Sequence, residues 1–267
     1  MSAAGPQRPR PGFPGGTGIT RLAVWDGVSV DGLVGGTPHL HTVSTEGYVV
    51  TAGSGVAQTI DRAGFRETPL EVGTVLWFPP GTVHRAINHG GLEIVVVMSN
   101  SGLPEAGDAV MTFTDEILAD PAREAEVGSP PAADADDAEA ADRITERRDA
   151  AVHGFLELRA AVATEGPVAW DRFAARAAAL VRPRIAHWRA HWEATVLPTV
   201  EDTRTQLDLL ERGDASGIGS HPVAVAAPAP GERRRGMCGL IRAYDVHPDH
   251  GEIDDELPTT SRKDTVP

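Results

Sequence analysis

Two histidines separated by a single residue are the feature of this sequence best suited to chemistry. They are His39 and His41, and Glu46 follows them closely in the chain. Side chains of a β-strand alternate between its faces, so on a strand His39 and His41 point to the same side. Imidazole nitrogen and carboxylate oxygen suit a divalent first-row transition metal. The spacing therefore predicts that both histidines converge on one metal ion.

Two further residues require a change of chain direction before they can join this site. Glu46 lies an odd number of positions after His41, so on one straight strand the two side chains would point to opposite faces. A turn or bulge near residues 43–45 must therefore intervene if Glu46 joins the site. His84 follows the Pro79-Pro80-Gly81 turn, where proline fixes φ and glycine tolerates positive φ. Such a turn can return His84 to the same interior. Three histidines and one glutamate leave coordination positions open for substrate or dioxygen.

The elements that must position these residues are short strands. Apolar runs rich in Val, Ile and aromatic residues alternate with Gly-containing turns, which is typical of an antiparallel β-sandwich or barrel. Helical periodicity is absent from this part of the chain. The runs are Leu22 to Trp25, Tyr48 to Thr51, Val56 to Ile60, Val75 to Phe78 and Ile94 to Met98.

These residues resemble the two motifs of the cupin family. The first, G-x5-H-x-H-x3,4-E-x6-G, is matched by His39, His41, Glu46 and Gly53, with only the leading glycine displaced. The second, G-x5-P-x-G-x2-H-x3-N, is matched throughout by Gly73, Pro79, Gly81, His84 and Asn88. The resemblance covers roughly residues 20 to 115. It implies a jelly-roll barrel that holds one metal through His39, His41, Glu46 and His84.

The resemblance implies a metal and a small-molecule pocket but no single reaction, because fold does not fix function. The metal is expected to be Fe, Mn, Zn or Ni, with Fe or Mn favoured. Tyr48 shares the face of Glu46 and is a candidate catalytic hydroxyl, although a core aromatic explains it equally well. No dedicated base is evident besides the ligands, which favours oxygenase-like chemistry on a small polar metabolite. A sugar isomerase, epimerase or lyase, and a non-catalytic ligand-binding cupin, remain alternatives.

The second half of the chain is predicted to be a helical extension. Its amphipathic helices need apolar partners, so they are predicted to pack on the barrel, cover its mouth or form a dimer interface. We expect the protein to be a homodimer. His187 and His191 have a workable ligand spacing on a helix but no third ligand, and Trp188 and Trp192 beside them suggest packing. The whole chain divides into a flexible tail (1–17), a cupin barrel (18–115), a short helix and acidic linker (116–142), a helical extension (143–213), a β-hairpin returning to the barrel (214–247) and a disordered tail (248–267).

Composition excludes some partners. The 267 residues carry 38 acidic and 24 basic side chains, a formal net charge of −14. Nucleic acid and anionic membranes require a basic surface, so neither is expected as a partner. No segment is apolar enough to span a bilayer or to act as a signal peptide. Cys238 is the single cysteine, which rules out an internal disulfide and fits a cytoplasmic location.

Overall fold

Antiparallel pairing of two long strands forms the centre of the molecule. The computed structural model describes residues 12–132, 135–228 and 233–246. Among these residues, nine strands join one sheet in the order β4-β3-β6-β1-β9-β8, with β2 pairing β6 and β7, and β5 pairing β3. The strands are β1 (Gly18–Val24), β2 (His39–Leu40), β3 (Glu46–Asp61), β4 (Gly64–Glu71), β5 (Val75–Phe78), β6 (Val83–Met98), β7 (Val110–Met111), β8 (Arg234–Arg235) and β9 (Gly239–Ala243). This confirms the predicted β-fold.

The long strands β3 and β6 bend together at one place, where their register shifts. Gly53 lies at this bend with φ of 66°. A side chain at this position would overlap the backbone of Gly90 and Gly91 on β6, so only glycine fits. The bend lets one pair of strands curve around the interior, whose apolar residues include Tyr48 and Ile94.

The last described strand, β9, joins the sheet next to its first strand, β1. β9 pairs antiparallel with β1, with Leu22 opposite Ile241, and β8 pairs with β9. Strands β8 and β9 form an antiparallel hairpin beside β1, and residues 223–227 belong to no strand.

The second half of the described chain is helical. Its helices are α1 (Asp115–Leu118), α2 (Pro121–Gly128), α3 (Asp137–Glu165), α4 (Pro167–Val181), α5 (Ile185–Thr195) and α6 (Leu197–Glu211), with short 3₁₀ turns at Pro14–Gly16 and Arg182–Arg184. The sequence analysis expects one short helix before the acidic linker, where the structure has two, α1 and α2. α3 also begins at Asp137, inside the stretch expected to be linker, because Asp136 caps its first turn by accepting hydrogen bonds from Ala138 and Glu139.

The helices pack on one side of the barrel through a second apolar cluster. Leu40, Ile60 and Val83 of the barrel join Phe155 of α3 and Phe173 of α4 in this cluster. The indole nitrogens of two tryptophans on α5 reach the loop that follows β6. Trp188 donates to the Ala106 carbonyl at 2.8 Å, and Trp192 to the Asn100 side chain at 3.1 Å. The two tryptophans therefore attach α5 to the barrel.

Several sequence expectations fall on residues for which the structure gives no account. Residues 1–11 of the predicted flexible tail, residues 248–267 of the predicted disordered tail, and Asp134 of the acidic run lie outside the described residues. Among the described helices, none has the length and apolar character needed to cross a membrane.

Candidate metal centre

Neighbouring strands bring the four predicted ligands together. His39 on β2 lies opposite His84 on β6, and His41 follows directly after β2. Glu46 is the first residue of β3. All four side chains are buried, and one ligand atom from each lies within 4.8 Å of the others. Within the described ranges this is the one cluster of its kind.

Each histidine is held through the ring nitrogen that faces away from the cluster. The Nδ1 atoms of His39 and His84 lie 2.9 Å and 3.0 Å from the carbonyls of Thr37 and Thr82. Nδ1 of His41 contacts the Asp108 carbonyl. A carbonyl only accepts, so each Nδ1 must donate, and each Nε2 keeps its lone pair. This is the ring orientation that a metal ligand requires.

A turn between β2 and β3 supplies the change of face that Glu46 needs. Residues 42–45 leave the extended conformation, and Glu46 re-enters on the inward face. Its Oε2 lies 3.1 Å from Nε2 of His41 and 2.8 Å from Nε2 of His84. The odd spacing between His41 and Glu46 is therefore accommodated by an irregular turn, as the sequence required.

The cluster perturbs the ionisation of its own members. Burial, reinforced by the charges of His84 and His41, holds the pKa of His39 well below its usual range. Burial disfavours the Glu46 carboxylate, but His84 and His41 outweigh it and hold the pKa of Glu46 well below normal. Burial is likewise outweighed at His41, where Glu46 raises the pKa. The lowered pKa values of His39 and Glu46 favour the forms that bind a cation, whereas the raised pKa of His41 favours its proton, which a metal ion would have to displace.

The donor set fits a divalent transition metal. Glu46 Oε2 and His84 Nε2 are both buried and lie 2.8 Å apart, and neither has a hydrogen-bond partner outside the cluster among the described residues. Buried polar atoms without partners are rare, and an ion that neutralises the carboxylate accounts for both. Three nitrogens and one oxygen match the preferences of Fe, Mn, Zn and Ni alike.

A cavity of about 210 Å³ opens beside this cluster. His39, His41 and Glu46 form its polar wall, and most of the remaining wall is apolar. The other lining residues come from β1, the end of β6, the loop after it and the C-terminal hairpin: Thr20, Leu22, Val96, Met98, Pro104, Glu105, Gly236, Met237, Cys238 and Ile241. The hairpin, rather than the helices, forms part of this wall.

Cys238, Glu105 and Asp108 join the site without any signal in the cupin motifs. Cys238 Sγ lies 3.8 Å from Nδ1 of His39, and burial followed by the Glu46 charge raises the pKa of its thiol. Glu105 is an exposed carboxylate on the cavity wall. The Asp108 carboxylate holds the turn that precedes Glu46. These three residues lie outside the two motifs in the chain, so the spacing of the motif residues could not identify them.

Tyr48 lies in the barrel core on the same inward face as Glu46. Its ring centroid is 6.3 Å from that of His84, and its buried hydroxyl has no hydrogen-bond partner among the described residues. Burial, followed by the charges of Glu46 and Cys238, raises the pKa of Tyr48 well above normal. Its hydroxyl is therefore neutral at physiological pH. A catalytic role for Tyr48 stays a prediction.

Other candidates have structural partners. Asn88 donates to the carbonyls of Val24 and Trp25 and accepts from the amides of Gly90 and Leu92, so it stabilises the turn after it. The rings of His187 and His191 lie 6.4 Å apart, and no third ligand joins them in the part of the chain that the structure describes.

Residues 30–99 match the family model of the cupin domain. With the two-motif barrel and the clustered histidines and glutamate in place, this part of the chain is a cupin domain. The match ends before the loop that carries Glu105 and Asp108 and before the helices and the C-terminal hairpin. No curated protein sequence is significantly similar to this chain.

Solved structures with a similar fold include cupins and double-stranded β-helix proteins of several kinds. A structure of Streptomyces PAC13, a nucleoside dehydratase, with uridine is 17% identical, with a TM-score of 0.26; the match covers 33% of this chain and 61% of that one. A putative sugar phosphate isomerase of Acidithiobacillus ferrooxidans is 23% identical over 31% of this chain and 49% of its own, with a TM-score of 0.25. A predicted oxalate decarboxylase of Thermotoga maritima is 21% identical over 31% and 64%, with a TM-score of 0.24. The chain therefore spans less than two thirds of the length of each of these proteins.

Proposed function

We propose that this protein is a metal-dependent enzyme with oxygenase-like chemistry, acting on a small molecule in the cavity beside His39, His41, Glu46 and His84. The observation that carries the proposal is the convergence of three histidine nitrogens and one carboxylate oxygen, with His39, His41 and Glu46 at the wall of a cavity. A resident Fe or Mn ion bound there would supply open coordination positions for substrate and dioxygen.

The chain's own residues have distinct tasks in this proposal. The backbone carbonyls behind the three histidines fix the rings, so that the ligand atoms keep their positions during turnover. The apolar wall formed by residues such as Leu22, Val96 and Ile241 limits access of water to the metal. A cavity of about 210 Å³ admits only a small substrate, with its polar end at the ligands and its apolar part against this wall.

Glu105 favours an alternative function. It places a second carboxylate on the cavity wall, outside the ligand set. A base of this kind can move a proton next to a carbonyl that a Lewis-acid metal polarises, which is the chemistry of an isomerase, epimerase or lyase. Replacing Glu105 with Gln separates the two functions, because an isomerase would lose most of its turnover and an oxygenase would keep it.

The proposal is tested first by the metal content of protein purified without added metal. Elemental analysis is expected to find iron or manganese near one ion per chain. Oxygen uptake is then measured across a panel of small hydroxy acids, diketones and phenols, with His84→Ala as the metal-free control. Iron-loaded protein that consumes no oxygen with any compound would contradict the oxygenase proposal. Zinc content together with activity sensitive to Glu105→Gln would favour the isomerase.

A further inference from the structure

The Asp108 side chain is fully buried and lies behind the metal ligands rather than among them. Its Oδ1 accepts hydrogen bonds from the amide and hydroxyl of Thr42, each at 2.7 Å. Its Oδ2 accepts from the amide of Ser44 at 2.9 Å, and the amide of Val43 lies 3.3 Å from both oxygens. One carboxylate thus satisfies three consecutive backbone amides of the turn between β2 and β3.

The backbone of the same residue holds a ligand directly. The Asp108 carbonyl accepts the Nδ1 proton of His41. The main-chain carbonyl of Asp108 therefore binds the His41 ring, and its side chain binds the backbone of the three residues after His41. This turn is what places Glu46 on the same side as His41, because a regular strand would place the two on opposite faces.

The helical extension supports the loop that carries Asp108. Arg184 donates to the carbonyl of Gly107 at 3.1 Å, and Trp188 of α5 donates to that of Ala106. Asp108 itself lies beyond the residues that match the cupin domain. Asp108 therefore links the helical extension to the ligand His41 and to the turn before Glu46.

We propose that Asp108 is a positioning residue of the metal centre, one that sets the His41 ring and the Glu46 carboxylate at the distance a metal requires. The proposal rests on the metal site of the proposed function, but not on the reaction carried out there. Buried carboxylates that accept several N–H bonds are fully compensated in their charged form. An amide in the same place cannot accept at both positions, since its nitrogen only donates.

The test compares Asp108→Asn with a control that loses a similar contact elsewhere. Asp120 caps α2 at the surface by accepting from the amides of Ala122 and Arg123, so Asp120→Ala lowers stability without touching the ligands. Dissociation constants for Zn²⁺ are measured by competition with a chelator, and thermal midpoints are measured on the metal-free proteins. We expect Asp108→Asn to weaken Zn²⁺ binding roughly 10- to 100-fold, as loss of an outer partner typically does. Asp120→Ala should bind Zn²⁺ as the wild type does.

A spectroscopic measurement distinguishes positioning from general stability. Pulsed electron paramagnetic resonance of the Cu²⁺-loaded protein counts coordinated imidazoles. Three are expected in the wild type and in Asp120→Ala, and two in Asp108→Asn, where loss of the side-chain contacts to residues 42–44 lets the Asp108 carbonyl move away from His41. Folded Asp108→Asn that binds Zn²⁺ within twofold of wild type, or that keeps three imidazoles, overturns the proposal. A wild type that binds no transition metal overturns the proposed function and this inference together.

Thr42 provides a second test if Asp108→Asn does not fold. Thr42→Val removes one hydrogen bond to Asp108 Oδ1, while Thr42→Ser retains the hydroxyl. Zn²⁺ affinity is expected to fall severalfold in Thr42→Val and to stay near wild type in Thr42→Ser. Equal affinities in the two variants overturn the proposal.

Discussion

The sulfur of Cys238 lies 3.8 Å from Nδ1 of His39, although 199 positions separate them in the chain. The contact exists because the C-terminal hairpin returns to the barrel. The amide of Thr37 donates to the Met237 carbonyl at 3.2 Å, and the amide of Trp25 to the Cys238 carbonyl at 3.1 Å. The hairpin thus forms one wall of the cavity beside the candidate ligands and buries the thiol.

The native Cys238 thiol is expected to be unreactive. Burial, aided by the Glu46 carboxylate, raises its pKa, and the thiolate is the reactive form. Its reaction with a water-soluble aromatic disulfide at pH 8 should be at least about 100-fold slower in native protein than in denaturant. Absorbance of the released thiol measures both rates. Rapid native reaction would show that the hairpin leaves the barrel readily.

Replacing Gly239 with alanine should release this hairpin. A side chain at Gly239 would overlap the Ala23 carbonyl across the β1–β9 pair. Overpacking of this kind costs about 1–3 kcal/mol, so the hairpin should exchange its amides faster and expose Cys238 to modification. Hydrogen exchange of residues 239–243 measures the change.

Gly18→Ala is the matched control for that substitution. Gly18 lies on β1, the strand that β9 pairs with, but its added side chain would meet only Ser101, whose Oγ would lie at 3.4 Å, an ordinary contact. Exchange at the hairpin should match the wild type in this variant. If both alanine variants behave alike, close packing of Gly239 is not what holds the hairpin.

Removal of one ligand should abolish metal retention. His84 is central to the cluster, since its Nε2 lies 2.8 Å from Glu46 and its ring makes an edge contact with that of His39. His84→Ala is expected to purify with under about a tenth of the wild-type metal, because four-ligand sites lose affinity steeply with each ligand. Elemental analysis measures the metal, and circular dichroism measures the fold.

His89→Ala is the control, because His89 lies on the same strand but is exposed. It should keep wild-type metal content. A folded His84→Ala variant with full metal occupancy would disprove the ligand assignment.

A buried ion pair next to the candidate metal centre should make the free energy of unfolding depend on pH. Arg85 is fully buried and donates to Asp31 at 2.6 Å. Burial opposes the Asp31 charge, but the Arg85 hydrogen bond and charge, with Ser29, outweigh it and lower the pKa of Asp31 to about 2. A lowered pKa stabilises the fold above the unfolded value of 3.8, and this contribution is lost as the pH falls toward about 2.

Asp31→Asn should lower the free energy of unfolding by about 3 kcal/mol at pH 7, because it leaves the Arg85 guanidinium without its anion. The difference from wild type should shrink between pH 4 and pH 2, where wild-type Asp31 takes up its proton. Urea unfolding at several pH values measures both effects. If the difference in the free energy of unfolding stayed constant over this range, Arg85 would not be what lowers the pKa of Asp31.

The sequence alone predicted the barrel and the clustering of four residues inside it. His39 and His41 share a face because side chains alternate along any strand, and His84 follows a turn in which proline fixes φ and glycine permits a positive φ. Such rules act over a few residues, so spacing carries them. The break in the strand before Glu46 could also be inferred, because His41 and Glu46 would point to opposite faces of a straight strand.

What only the tertiary structure decided is everything that reaches the site from far along the chain. The sequence left open whether the helices cover the barrel mouth, and it gave no role to Cys238 or Asp108. In the structure the hairpin walls the cavity, and the helices support the loop of Asp108. Contacts between distant residues depend on how whole elements pack, and apolar packing is non-directional, so no local spacing encodes them. His39, His41 and His84 follow from spacing and strand geometry, and Glu46 from the resemblance to the cupin motifs; the walls and supports around them follow from the fold.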